Sequence, residues 1–348
     1  MEDAPLFPRS VALLIAGLIA GAAGLPPLPA VAAPPQLALP VACQPGSSCW
    51  IVNYVDLDPG DGVRDYTCGI ATYNTGSHNA HNGTDFAIRD LAAMREGVPV
   101  LAAAAGRVAG VRDGMADVSV RDTGAAAVAN RECGNGVRID HGDGWASQYC
   151  HMRSGSIAVA KGQAVTAGQP LGLVGLSGLT EFPHLHFQVD KDGVPTDPFI
   201  GAARTSAREC GPGEHQLWNR QTLAALPYRT GILYNAGFAA EAPNPDEARD
   251  GRYLGFAAGT DAPALVLWAD AFNVRKGDRI VLRIEGPDGA EILTRDFQID
   301  KDQARRFFYA GTKRKDAAWQ PGIYRGEARM LREESKVVSE LEARAEIR

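Results

Sequence analysis

Short apolar runs broken by glycine fill the chain from His81 to about Gly201: Thr84 to Ile88, Val98 to Leu101, Arg107 to Val111, Val137 to Asp140 and Trp145 to Cys150. Runs of this length between turn residues predict the strands of an antiparallel sheet and leave little room for helices. From Ile157 to Gly178 the glycines 162, 168, 172, 175 and 178 recur beside Val159, Val165, Leu171 and Val174, which predicts tight turns between very short strands. His141-Gly142-Asp143-Gly144 reads as a hairpin turn, and the two runs it joins bring Cys133 near Cys150. Met115 to Arg131 is Ala-rich and polar without a period and reads as a surface insertion. The pattern restarts further on with Ala264 to Trp268, Arg279 to Ile284, Glu291 to Phe297, Arg305 to Tyr309 and Gly322 to Met330, with Gly286-Pro287-Asp288-Gly289 as a turn. That set predicts a β-sandwich of about seven strands. The expected fold is therefore all-β: a compact antiparallel β domain followed by a C-terminal β-sandwich.

Residues 34–66 show no helical or strand periodicity and read as an extension pinned by cysteines; its Asp56, Asp58, Asp61 and Asp65 lack the closing Glu of a calcium loop and read as a solvated turn. Residues 202–226 read as a linker and 227–348 as the sandwich. At the N-terminus, the apolar run Val11 to Leu25 and the small-x-small triplet Ala30-Val31-Ala32 read as a signal peptide over residues 1–33. The run is shorter than the roughly 18–20 residues that span a bilayer, so no stable membrane span is expected after cleavage, and the chain is expected in the periplasm or outside the cell. An oxidising compartment suits the even set Cys43, Cys49, Cys68, Cys133, Cys150 and Cys210, which has no C-x-x-C pair and reads as disulfides. A formal net charge of -6 offers no broad basic surface, so nucleic acid is not an expected partner.

Chemistry concentrates in two places. In His184-Leu185-His186-Phe187-Gln188-Val189 the histidines are two apart on a predicted strand, so both imidazoles point to one face. In His81-Asn82-Gly83-Thr84-Asp85 a nitrogen and a carboxylate are four residues apart around a glycine that lets the backbone turn. Imidazoles with one carboxylate suit zinc, whereas calcium or magnesium takes more oxygens. His78 breaks the spacing to Asp85, and His141 and His215 read as solvated.

The order H-x-x-x-D, Gln148-Tyr149-Cys150-His151-Met152, the pairs Gly162-Gln163 and Gly168-Gln169, Pro183-His184-Leu185-His186-Phe187 and Asp197-Pro198 resembles the lysostaphin and LytM-type zinc endopeptidases over about residues 80–200. The resemblance implies a zinc metallopeptidase domain over 67–201, one Zn2+ held by His81, Asp85 and His186, and catalytic roles for His184 and His151 toward a metal-bound water nucleophile. His184 is the expected general base and His151 the oxyanion or acid group, with the reverse division open. The implied reaction is hydrolysis of peptide bonds in peptidoglycan cross-links, with peptide stems as substrate and the sandwich free to take a protein partner. Two alternatives share these residues: a non-catalytic module that binds wall or activates other wall hydrolases, and a secreted peptidase acting on proteins. The approach Glu181-Phe182-Pro183, the cysteine before His151 and the insertion at 115–131 depart from the family pattern and bear on what the cleft accepts.

Overall fold

A nine-stranded antiparallel sheet forms the frame in the computed structural model, which describes residues 33–75, 80–203, 210–315, 317–333 and 336–348. The signal-peptide reading and His78 lie outside the described residues. The strand order across this sheet is Cys49–Asn53, Thr84–Ile88, His184–Lys191, Trp145–Met152, Asn135–Gly142, Gly106–Arg112 and Ala164–Val165, with Val194–Asp197 and Ala202–Ala203 added beside His184–Lys191. Pro99–Leu101 and Pro170–Leu173 pair separately. The expected strands are present, several with the predicted ends and others longer, Ala264–Val274 and Gln303–Lys313 the most. Helices are few and short; one of them, Leu91–Glu96, is capped by the Asp90 carboxylate on the Ala93 amide.

Alternation decides what the frame carries. Phe86, Ile88, Leu185, Phe187 and Val189 point to one face and join Tyr149, Phe199 and Trp218 in the main core. The opposite face carries Trp50, Val52 and Ala87, which pack against Ile232, Tyr234 and Phe272 from the C-terminal half. Because strand Cys49–Asn53 is covered on both sides, its sequence CWIVN is a continuous apolar run rather than an alternating one. The extension thus holds a strand that periodicity alone did not reveal.

The C-terminal half folds as two stacked sheets. One holds Ile232–Ala239, Ala264–Val274 and Gln303–Lys313; the other holds Ala257–Ala258, Lys336–Ile347, Gly322–Arg332, Arg279–Glu285 and Glu291–Gln298. Ile280, Leu282 and Ile284 alternate with the half-buried Arg279, Val281, Arg283 and Glu285 and are fully buried against Leu265, Leu267 and Met330. Among the described residues no helix is long and apolar enough to cross a membrane.

Disulfides join Cys43 to Cys49, Cys68 to Cys210 and Cys133 to Cys150, the last being the pair the hairpin predicted. The acidic stretch differs from the solvated turn expected. Asp56 is buried and accepts from the Asp58 and Arg64 amides, and buried Asp65 accepts from Thr67, Gly69, Ala71 and the Tyr228 hydroxyl. These carboxylates fold the loop from within. His141 is half-buried rather than fully solvated: its Nδ1 meets the Ala105 carbonyl and its Nε2 the Ser147 hydroxyl, each at 2.8 Å. His215 is exposed.

Asp197 ends strand Val194–Asp197 fully buried, with Oδ1 accepting from the Phe199 and Ile200 amides and Oδ2 lacking a partner. Burial raises its carboxyl to about 7 against the pull of those amides, so the folded state keeps a proton that the unfolded chain has lost. Stability from this group is full below the unfolded pKa and falls by ~1.4 kcal/mol per unit as pH rises from about 4 to 7. Urea denaturation across that range should show the slope in the wild type and a flatter one in Asp197→Asn.

Candidate functional site

The antiparallel register places Asp85 directly opposite His186, on the face away from the main core, and His184 two residues earlier on that same face. His186 Nδ1 lies 2.9 Å from Asp85 Oδ1. His81 enters from the loop before strand Thr84–Ile88, and its Nε2 stands 3.1 Å from both Asp85 Oδ1 and His186 Nδ1. Three donor atoms thus form a nearly equilateral triangle. Ligands at about 2.0–2.2 Å from a tetrahedral zinc ion are separated by about 3.3 Å, so this donor set fits such an ion in size and in chemistry. Among the described residues it is the one His/Cys/Asp/Glu group with this compactness.

Neighbours aim each donor. The His81 Nδ1–H donates to the Tyr54 carbonyl at 2.6 Å, which leaves Nε2 with its lone pair toward the triangle, and the Tyr73 ring stacks on the imidazole at 4.6 Å. Asn53 Nδ2 donates to Asp85 Oδ2 at 2.9 Å, freeing Oδ1 to face the two imidazoles. Burial alone would push the Asp85 carboxyl up, but the charges of His81 and His184 and hydrogen bonds from His184 and His186 outweigh it and hold the group well below the usual carboxylate range. Gly83 is required for space: a Cβ there would come within 2.6 Å of the His186 ring.

His184 and His151 stand beside the triangle. The His184 Nδ1–H faces the Phe182 carbonyl at 3.0 Å and the Thr180 hydroxyl at 3.1 Å, while Nε2 lies 3.5 Å from Asp85 Oδ1. His151 follows Cys150 in a left-handed conformation, φ 61°, that turns its side chain toward the site. Its Nδ1–H donates to the Ser177 carbonyl at 2.8 Å, and its ring centre is 4.7 Å from that of His184. Burial, aided by the charges of His184 and His186, holds the His151 imidazole well below its ordinary pKa, so it is neutral. The Nε2 atom of His151 therefore begins as an acceptor.

Asp85 and His184 line a cleft of about 620 Å³. Its walls include Tyr73, Val120 of the insertion, Phe182, and Asn273, Arg275 and Gln303 from the C-terminal half. The insertion is tied down by an Arg121–Glu181 ion pair at 2.7 Å. Sequence reasoning did not single out Asn53, Tyr54 or Tyr73. Asn53 carried no signal because the strand holding it was unseen, and a backbone carbonyl such as that of Tyr54 has no side-chain signature.

Residues 79–198 match the model of Peptidase family M23. Peptidoglycan DD-endopeptidase ShyA of Vibrio cholerae is 34% identical over 117 residues, which cover 34% of this chain and 22% of ShyA. DD-carboxypeptidase/endopeptidase Mpg of Neisseria meningitidis is 30% identical over 125 residues, covering 36% of this chain and 23% of that protein. The catalytic domain of lysostaphin from Staphylococcus simulans aligns in structure with 26% identity and a TM-score of 0.27, over 36% of this chain and 82% of that one. The chain spans less than a quarter of the length of these curated relatives.

The close approach at Gly83 has a direct check. Gly83→Ala is expected to cost about 1–3 kcal/mol in equilibrium denaturation through overpacking, whereas Gly110→Ala, with nothing within 4 Å of the added carbon, should be close to neutral.

Proposed function

Because residues 79–198 carry a peptidase family M23 domain, we propose that this protein is an exported zinc endopeptidase that hydrolyses peptide bonds in peptidoglycan cross-links. The observation that carries the reading is the convergence of His81, Asp85 and His186 within hydrogen-bond distance of one another, beside two imidazoles, His151 and His184, whose Nδ1 atoms are each engaged by a backbone carbonyl. The relatives named as peptidoglycan endopeptidases support the substrate class.

His81 Nε2, Asp85 Oδ1 and His186 Nδ1 would hold zinc, which when bound polarises a scissile carbonyl and lowers the pKa of water toward 7. His184 Nε2 is the general base: its other nitrogen is committed to the Phe182 carbonyl, so the proton taken from water has one place to go. The imidazolium formed can return that proton to the leaving amine. His151 Nε2 also starts bare, so it stabilises an oxyanion only after gaining a proton. Asn53, Tyr54 and Gly83 orient the donors.

Mass analysis of fragments released from purified peptidoglycan by the zinc-loaded protein tests the proposal. The expected products are stem peptides cut at the cross-link, lost on chelation and regained with zinc. Intact wall would favour a binding or activating module, and cleavage of protein substrates alone would favour a protein-directed peptidase. His81→Ala and His186→Ala should lose zinc and activity together. His184→Ala should keep zinc and lower kcat by roughly 10²- to 10⁴-fold. Asn53→Ala should weaken zinc binding roughly 10- to 100-fold in competition with a chromophoric chelator.

A further inference from the structure

Phe182 touches both halves of the molecule. Its ring stacks on His184, with centroids 4.7 Å apart and planes 30° from parallel. It also meets Phe272 at 4.9 Å, and the Arg305 guanidinium lies 5.8 Å from the Phe182 centroid and 5.2 Å from that of Phe272. Phe272 and Arg305 belong to strands Ala264–Val274 and Gln303–Lys313 of the C-terminal half. Neither is free to drift. Arg305 pairs with buried Asp270 at 3.1 Å and donates to the Tyr234 hydroxyl, and the Tyr234 ring packs on Phe272 at 4.5 Å. Asp270 is held from its other side by Arg249 at 2.8 Å.

The backbone of Phe182 completes the arrangement, since its carbonyl accepts the His184 Nδ1–H. The Phe182 carbonyl and the Thr180 hydroxyl both meet the ring at Nδ1, so they fix where that atom points and leave the ring plane to be set by what packs on its faces. An aromatic face against the ring sets that plane. Positioning of a base to within roughly 10–20° is worth large factors in rate.

We infer that Phe182 is a positioning residue through which the C-terminal sandwich fixes the ring plane of His184, so that the sandwich is part of the catalytic apparatus. The inference rests on the reading of His184 as the base.

Leucine at Phe182 or Phe272 keeps the apolar volume and removes the flat face, and Phe182→Tyr keeps the face. With cross-linked peptidoglycan fragments as substrate, Phe182→Leu and Phe272→Leu should lower kcat at least about tenfold, with KM and zinc content within about twofold of wild type. Phe182→Tyr should restore kcat. Crystal structures of the zinc-loaded protein should show one His184 ring orientation in wild type and Phe182→Tyr, and a rotated or disordered ring in both leucine variants. Wild-type kcat in the leucine variants, or loss of zinc in step with kcat, overturns the inference. If the wild type cleaves no wall, the functional reading falls, and the structures alone decide: an unaltered His184 ring orientation in both leucine variants refutes the coupling, and a rotated or disordered ring upholds it.

Discussion

The pairing of Asp85 opposite His186 in adjacent antiparallel strands is the constraint from which the site follows. Side chains alternate, so the strands that bury Phe86, Leu185 and Phe187 in the main core must present Asp85, His184 and His186 on the other face. A slip of one residue would send the polar set into the core and the apolar set into the cleft. Core packing and donor geometry are thus enforced by the same register. What the register brings together is unfavourable in isolation: three lone-pair donors, two of them fully shielded from water, within about 3 Å. A cation is the natural complement of such a group, and folding stores in it part of the binding free energy of that ion.

Much of this was legible in the chain because period and spacing report local geometry. The H-x-H pair on one strand face, the glycine turn before Asp85 and the hairpin that joins Cys133 to Cys150 all depend on residues close in sequence. Legibility failed where two faces of a strand are buried or where partners are distant. Cys49–Asn53 and Ile232–Ala239 show no alternation because the core covers one side and the other half of the molecule covers the second, and with the first of these strands went Asn53. The Cys68–Cys210 link, closing 142 residues of chain, has no local signal. Asp56 and Asp65 looked like surface charge because composition cannot tell a solvated carboxylate from one that accepts several backbone amides.

The sheet face that carries the donors is shared. Trp50, Val52 and Ala87 occupy one part of it and are covered by Ile232, Tyr234 and Phe272; Asp85, His184 and His186 occupy the next part, at the margin of that covered patch. A sandwich packed on the first part necessarily stands beside the second, which is why Asn273, Arg275 and Gln303 line the cleft. The C-terminal half is therefore not a tethered module whose removal would leave the cleft intact. Its removal would expose Trp50 and Val52 and take away a wall.

A second regularity runs through the histidines. His186 reaches the triangle through Nδ1 from a strand, where neighbouring strands leave it little choice of direction. His81, His151 and His184 present Nε2 instead, and each gives its Nδ1–H to a backbone carbonyl: Tyr54, Ser177 and Phe182. A carbonyl accepts and cannot donate, so it selects one tautomer without adding a charge of its own. The three carbonyls come from segments outside the central strands, after Cys49–Asn53 and along the approach to His184–Lys191. The sheet sets where the reacting atoms meet, and these irregular segments set which of those atoms carry protons.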